Sequence, residues 1–104
     1  MSAGTLACQA AALRFLADLA ETRPDLPGAY LPVGQHLPRE VAVQLDSPGD
    51  VEAWREALSV GPEAVVADRI GGRPSLEFYA DTSGLKFHVY AVYTPVAPLA
   101  GGAG

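Results

Sequence analysis

Four side chains capable of acid–base chemistry lie close together near the end of the sequence. Glu77 and Tyr79 are two residues apart in one stretch, and His88 and Tyr90 are two residues apart in the next. A histidine oriented by a carboxylate can act as a general base, and a phenol can donate a proton or a hydrogen bond. These residue types could form a small acid–base site if the fold brought the two stretches together.

A β-hairpin over residues 74–95 is predicted to do so. Ser83-Gly84 is typical of a tight turn, and the side chains alternate in type on either side of it. The polar face then pairs Asp81 with Lys86, Tyr79 with His88, and Glu77 with Tyr90. The other face is wholly apolar and carries Leu76, Phe78, Ala80, Phe87, Val89 and Ala91. A slip by one residue would mix the two faces, so the alternation predicts this register.

The apolar face needs a cover, and two amphipathic helices are predicted to supply it. The first spans residues 5–22, because apolar side chains recur there at helical spacing, and Arg23-Pro24 ends it. The second begins at Ser47-Pro48, which suits a helix cap followed by the first helical position, and Gly61-Pro62 ends it. The helix side chains expected to reach the core are Phe15, Leu19, Trp54 and Leu58.

Two further strands complete the predicted sheet. Residues 39–46 alternate strictly between apolar and polar side chains. Residues 63–70 follow the second helix, and Gly71-Gly72 then turns the chain into the hairpin. The strand, helix and strand between residues 39 and 70 have the length of a parallel βαβ crossover. The Pro- and Gly-rich segment before them, residues 24–38, is predicted to be a loop with a short extended piece at residues 30–33.

The sequence therefore predicts an α+β fold of two layers. A four-stranded mixed sheet, built from a βαβ crossover and an antiparallel meander, carries two helices on one face. The order of the strands stays open. Residues 1–94 are expected to form a single domain, because a chain of 104 residues would split into pieces too small to bury a core. Residues 95–104 lack periodicity and are expected to form a flexible C-terminal tail.

Charge and cysteine content exclude several classes of function. The net charge is −5 and the basic residues are scattered, which argues against a nucleic-acid or membrane partner, even though exposed aromatics on neighbouring strands resemble an RNA-stacking platform.

Cys8 is alone, so no disulfide framework can form, and its place in the apolar stripe of the first helix predicts a buried, inert thiol. His36 and His88 lack a third ligand at a set spacing, so no metal or cofactor is predicted. With no signal peptide or membrane span in view, the expected location is the cytoplasm.

Part of the sequence resembles a known group of proteins. The run VAVQLDSPGDVEAWREALSVGPE, with the preceding LRFLADLAETRPDLP, is similar to small uncharacterised α+β proteins of high-GC Gram-positive bacteria and their phages or mobile elements. In that group a leading helix, a Val-rich strand and an Asp-x-Val/Leu-x-Ala-Trp helix precede a short β-meander. The likeness covers most of residues 10–93 and implies the fold and a bacterial origin. It brings no activity, ligand or site residue.

The mixed face of the hairpin has two interpretations. Aromatic and oppositely charged cross-strand pairs stabilise an exposed antiparallel sheet, so the face could be purely structural. Open, Tyr-rich sheet surfaces with little net charge are also typical of protein interfaces. The sequence favours a non-enzymatic interaction or accessory module that self-associates, as a homodimer, through Glu77, Tyr79, His88 and Tyr90. The alternative is a small enzyme or small-ligand-binding domain that uses the same four residues.

Overall fold

A computed structural model of the chain describes residues 4–94, and the predicted tail at residues 95–104 lies outside them. The described part contains two α-helices, α1 (Ala10–Thr22) and α2 (Pro48–Ala57). It also contains four β-strands, β1 (Glu40–Leu45), β2 (Val66–Ile70), β3 (Arg73–Thr82) and β4 (Leu85–Val92). Short 3₁₀ turns at Leu6–Gln9 and Pro62–Ala64 precede α1 and β2.

The four strands form one mixed sheet in the order β1-β4-β3-β2. Strands β2, β3 and β4 make the predicted antiparallel meander, and β4 pairs in parallel with β1. The crossover through α2 joins two strands of the same direction, but it spans the whole sheet and leaves β1 and β2 at opposite edges. The prediction of a mixed four-stranded α+β fold is confirmed. The parallel neighbour of β1 is β4, the last strand within residues 4–94.

Both helices lie on the apolar face of the sheet, as predicted. The inward side chains of β1 alternate with outward ones, and Val41, Val43 and Leu45 are all buried. Phe87 is fully buried at the centre, and the Phe15 ring of α1 contacts it at a centroid distance of 5.2 Å. The indole N–H of Trp54 in α2 donates to the Pro27 carbonyl at 2.9 Å, which ties the loop before β1 to the core.

The start of α2 follows the sequence rules. The Ser47 hydroxyl accepts a hydrogen bond from the Asp50 backbone N–H at 3.2 Å, and Pro48 takes the first helical position. The predicted end at Gly61-Pro62 is wrong, because α2 stops at Ala57 and Ser59 adopts a positive φ of 59°.

Arg55 stabilises this early C-terminal end of α2. Its guanidinium donates to the Val60 carbonyl at 2.6 Å and also to the Glu52 carboxylate. The hydrogen bond from Arg55 lowers the pKa of Glu52 below its ordinary value. Pro62–Ala64 then forms its own 3₁₀ turn, so β2 begins at Val66, later than the predicted residue 63.

The start of the first helix also differs from the prediction. Residues Leu6–Gln9 form a tighter 3₁₀ turn, and the α-helix begins only at Ala10. Cys8 lies on this turn, where the Thr5 hydroxyl donates to its sulfur at 3.4 Å. The side chain of Cys8 is half-buried, so the prediction of a buried thiol is corrected. The reason is the change of period, since a turn with 3.0 residues rotates side chains away from a stripe spaced for 3.6.

Candidate interaction surface

The sheet surface opposite the two helices is called the open face. The register of β3 and β4 pairs Tyr79 with His88, Glu77 with Tyr90 and Asp81 with Lys86, as predicted. The pairing of β1 with β4 and of β2 with β3 adds outward side chains on either side. The open face carries Glu40, Ala42, Gln44, Val66, Asp68, Ile70, Arg73, Ser75, Glu77, Tyr79, Asp81, Lys86, His88, Tyr90 and Val92.

The four residues singled out from the sequence form one cluster at the centre of the open face. His88 Nε2 lies 2.6 Å from Glu77 Oε1, within hydrogen-bond distance. The Tyr79 ring stacks on the His88 ring with centroids 4.4 Å apart and planes 5° apart, and Tyr90 stacks on the same ring at 4.9 Å. Glu77, Tyr79, His88 and Tyr90 are referred to below as the aromatic cluster. Contacts within the cluster hold each ring in place.

The cluster presents an aromatic surface whose carboxylate is already hydrogen-bonded within the chain. The Tyr79 residue is 60% exposed, whereas the side chain of Glu77 is only 17% exposed and faces His88. A carboxylate that is hydrogen-bonded within its own chain costs less to remove from water than a free one. Covering the cluster would therefore leave the Glu77 carboxylate with a hydrogen-bond partner from its own chain.

Exposed apolar side chains extend the surface beyond the cluster. Val66 and Ile70 on β2 are 52% and 40% exposed, and they flank the cluster on one side. On the other side an isolated antiparallel bridge sets Tyr30 beside Gln44, which places this exposed tyrosine on the same face. Charged residues lie at the two ends of the strands, and they are Glu40, Asp81 and Lys86 at one end and Asp68 and Arg73 at the other. An apolar centre with a charged rim is the usual anatomy of a protein interface.

Sequence reasoning missed three contributors to this surface. The Tyr90 hydroxyl donates to Gln44 Oε1 at 3.3 Å, a contact that exists only because β1 lies next to β4. Leu37 and Pro32, in the loop before β1, form the wall of an open groove of about 390 Å³ that leads to Tyr79 and His88. The polar alternation of β1 already placed Gln44 outward, but the strand order that brings it to Tyr90 could not be read from the sequence.

The two edges of the sheet are less available than the open face. The outer edge of β1 is covered by bridges from Tyr30 and Val33. On β2 the Arg69 backbone N–H donates to the Asp68 side chain at 2.8 Å, and the Arg69 guanidinium donates to the Gly72 carbonyl. A backbone donor occupied in this way cannot pair with a further strand, which is a common protection of sheet edges. These contacts hinder the addition of a further strand at the edges of the sheet.

The chemistry available at the cluster is limited by its contacts. The His88 imidazole is engaged by Glu77 and stacked on two rings, and the Tyr90 hydroxyl is turned to Gln44. Within residues 4–94, no three side chains of His, Cys, Asp or Glu converge as ligands for a metal ion. The arrangement is an exposed aromatic surface that also contains a carboxylate–imidazole pair.

No protein-family model, curated protein or solved structure matches this chain. The resemblance to small proteins of high-GC Gram-positive bacteria therefore stays a prediction. None of the helices within residues 4–94 combines the length and the apolar content needed to span a bilayer.

Proposed function

We propose that this protein is a non-enzymatic interaction module that self-associates through the open face. The observation that carries the proposal is the aromatic cluster, in which Tyr79 is 60% exposed yet stacked flat on His88, on a sheet surface that neither α1 nor α2 covers. Tyrosine in a fixed orientation provides a large contact area at a low cost in conformational entropy. The module would act as an accessory or regulatory protein in the bacterial cytoplasm, and the resemblance extends the proposal to an origin in a mobile element.

A second copy of the chain is the partner that fits with the fewest assumptions. Most soluble oligomers are symmetric, and a two-fold contact needs only one self-complementary patch. The open face supplies apolar side chains at its centre and both signs of charge at its rim, so it carries the groups that such a patch requires. Charged residues are scattered along the sequence and the net charge is only −5, so a nucleic acid or a strongly charged protein is a less suitable partner.

The test is the solution mass of the protein over a wide range of concentrations, measured by sedimentation equilibrium. The wild type is expected to form dimers that dissociate on dilution, and Tyr79→Ala or Tyr90→Ala is expected to shift the mass toward monomer with an unchanged circular dichroism spectrum. Leu13→Ala is the matched control, because Leu13 is an exposed apolar residue on α1, in the opposite layer. A wild type that stays monomeric at every concentration rejects the proposal.

One observation favours a second candidate, a small enzyme or small-ligand-binding domain. The Glu77–His88 pair lies beside the groove next to Leu37, and a histidine held by a carboxylate is the usual arrangement of a general base. Screening small carboxylic acids, phenols and sugars by NMR tests this alternative. Binding that perturbs Leu37 and His88 and is lost in His88→Gln would support it, whereas binding unaffected by His88→Gln would reject it.

A further inference from the structure

We infer that a second copy packs on the open face, sheet against sheet. The two-fold axis lies between the two sheets, runs parallel to β3 and β4, and passes over the line midway between these strands. This inference rests on the proposed function and specifies how the two copies meet. Each side chain of β3 would face, on the second copy, the same β4 residue that it already pairs with in its own chain. The contacts between copies would therefore repeat the cross-strand pairs of the hairpin.

The geometry follows from the register. Each cross-strand pair of β3 and β4 is called a row. A rotation of 180° about this axis exchanges the positions of β3 and β4 and leaves each row at the same position along the strands. Asp81 then faces Lys86 of the second copy, and Tyr79 faces His88 of the second copy. Two sheets in face-to-face contact keep their strands within about 30° of each other, which this axis satisfies. The helices of both copies lie on the outer surfaces of the resulting assembly, where they cannot collide.

Each of the three rows pairs groups that attract. Asp81 and Lys86 carry opposite charges, both are exposed, and neither makes an ion pair with any other residue in the range 4–94. Tyr79 and His88 already stack within one chain, so their rings are flat and parallel to each other. Glu77 has a second carboxylate oxygen that can accept a hydrogen bond, and the Tyr90 hydroxyl can donate to it in exchange for its 3.3 Å bond to Gln44. The hairpin is thus self-complementary because its cross-strand pairs are complementary.

The competing arrangement has its two-fold axis across the strands at the row of Glu77 and Tyr90. That axis sets Glu77 against Glu77 of the second copy, which places like charges at the centre of the contact. It also brings Asp81 opposite Arg73 of the second copy, and Arg73 is already hydrogen-bonded to Thr94 at 3.0 Å. The two arrangements therefore differ in the partner of Asp81, which is Lys86 in the first and Arg73 in the second.

Charge exchange distinguishes them. Asp81→Lys and Lys86→Asp are each expected to weaken the dimer by about tenfold or more, because each places like charges in contact twice in a symmetric pair. An equimolar mixture of the two variants is expected to form heterodimers, since two lysines then face two aspartates. The double variant Asp81→Lys/Lys86→Asp restores both rows and is expected to dimerise like the wild type. Native mass spectrometry identifies each species, and circular dichroism verifies that each variant is folded.

Three results would overturn the inference. If Lys86→Asp dimerised like the wild type while Asp81→Lys did not, Asp81 would face Arg73 and the axis would lie across the strands. If the double variant stayed monomeric, the rows would not repeat between copies. The third result is that the wild type dimerises and Tyr79→Ala does not, but the mixture of Asp81→Lys with Lys86→Asp forms no heterodimer. The copies would then meet through the open face, but about a different axis. A wild type that does not dimerise would reject the proposed function as well as the axis.

Discussion

Single side chains on the open face differ in how well their polar atoms are satisfied. Glu77 is hydrogen-bonded to His88, and Tyr90 to Gln44, so these groups are compatible with burial by a partner. Ser75 is different. It belongs to β3, which lies between β2 and β4 in the sheet, and it is only 1% exposed. Its hydroxyl has no hydrogen-bond partner within the described part of the chain. A buried hydroxyl without a partner loses its bonds to water and gains nothing in return.

Replacement of Ser75 is therefore expected to be harmless. Ser75→Ala should leave the free energy of unfolding unchanged or raise it by up to about 1 kcal/mol, because it removes an unsatisfied group. The matched control is Ser47→Ala, which removes the cap of α2 and should lower the free energy of unfolding by about 1 kcal/mol. Urea denaturation measures both. A loss in Ser75→Ala as large as that in Ser47→Ala would show that the Ser75 hydroxyl is bonded in solution.

Among the secondary-structure elements, β2 is the one exposed to unwanted pairing. It is an edge strand whose five residues are all exposed, and Val66 and Ile70 are apolar. Its protection depends on Asp68, whose carboxylate accepts the Arg69 backbone N–H. The opposite edge needs no such device, because the segment around Tyr30 covers β1. The two edges are thus protected by different means, β1 by the segment that covers it and β2 by the Asp68 side chain.

Removal of the Asp68 carboxylate is expected to open this edge. Asp68→Ala frees the Arg69 N–H and should increase aggregation on mild heating, because an exposed apolar edge strand recruits further strands. Static light scattering during a temperature ramp measures the effect. Asp18→Ala, on the exposed surface of α1, removes the same charge away from the sheet and serves as the control. Equal aggregation of the two variants would attribute the effect to net charge alone.

For the molecule as a whole, the central event is the insertion of β4 between β1 and β3. Strand β4 provides the hydrogen-bonding partner of β1, so this four-stranded sheet cannot be completed until β4 has taken its place. Phe87 lies at that junction. It pairs with Val41 in β1 and Ala80 in β3, and its ring contacts Phe15 in α1. One side chain thereby connects the sheet with the helical layer.

Truncation of Phe87 should affect every element at once. Phe87→Ala is expected to lower the free energy of unfolding by about 3–5 kcal/mol. That is a large share of the roughly 5–15 kcal/mol that stabilises a domain, so secondary structure and Trp54 fluorescence should be lost together at lower urea. Tyr79→Ala, on the opposite face, should change the free energy of unfolding of the monomer by less than about 1 kcal/mol. Separate transitions for circular dichroism and fluorescence would contradict a single core.

Much of the hairpin and of the candidate surface could be predicted from the sequence. The period of two around Ser83-Gly84 determined which residues of β3 and β4 face each other, and therefore which four side chains form the aromatic cluster. The Ser47-Pro48 start of α2 and the alternation of β1 were equally clear. These features depend on neighbours close in the chain, where turn geometry, capping and side-chain alternation are decisive. Local sequence is sufficient for them.

Tertiary structure alone decided the strand order and everything that depends on it. The pairing of β1 with β4 brings Gln44 to Tyr90 and sets Tyr30 and Leu37 at the border of the open face. It also places β2 at an edge, where Asp68 is needed. A strand's period specifies which side chains share a face, but its hydrogen-bonding neighbour is chosen by the packing of the entire sheet under both helices. That choice involves residues far apart in the chain, which no local pattern encodes.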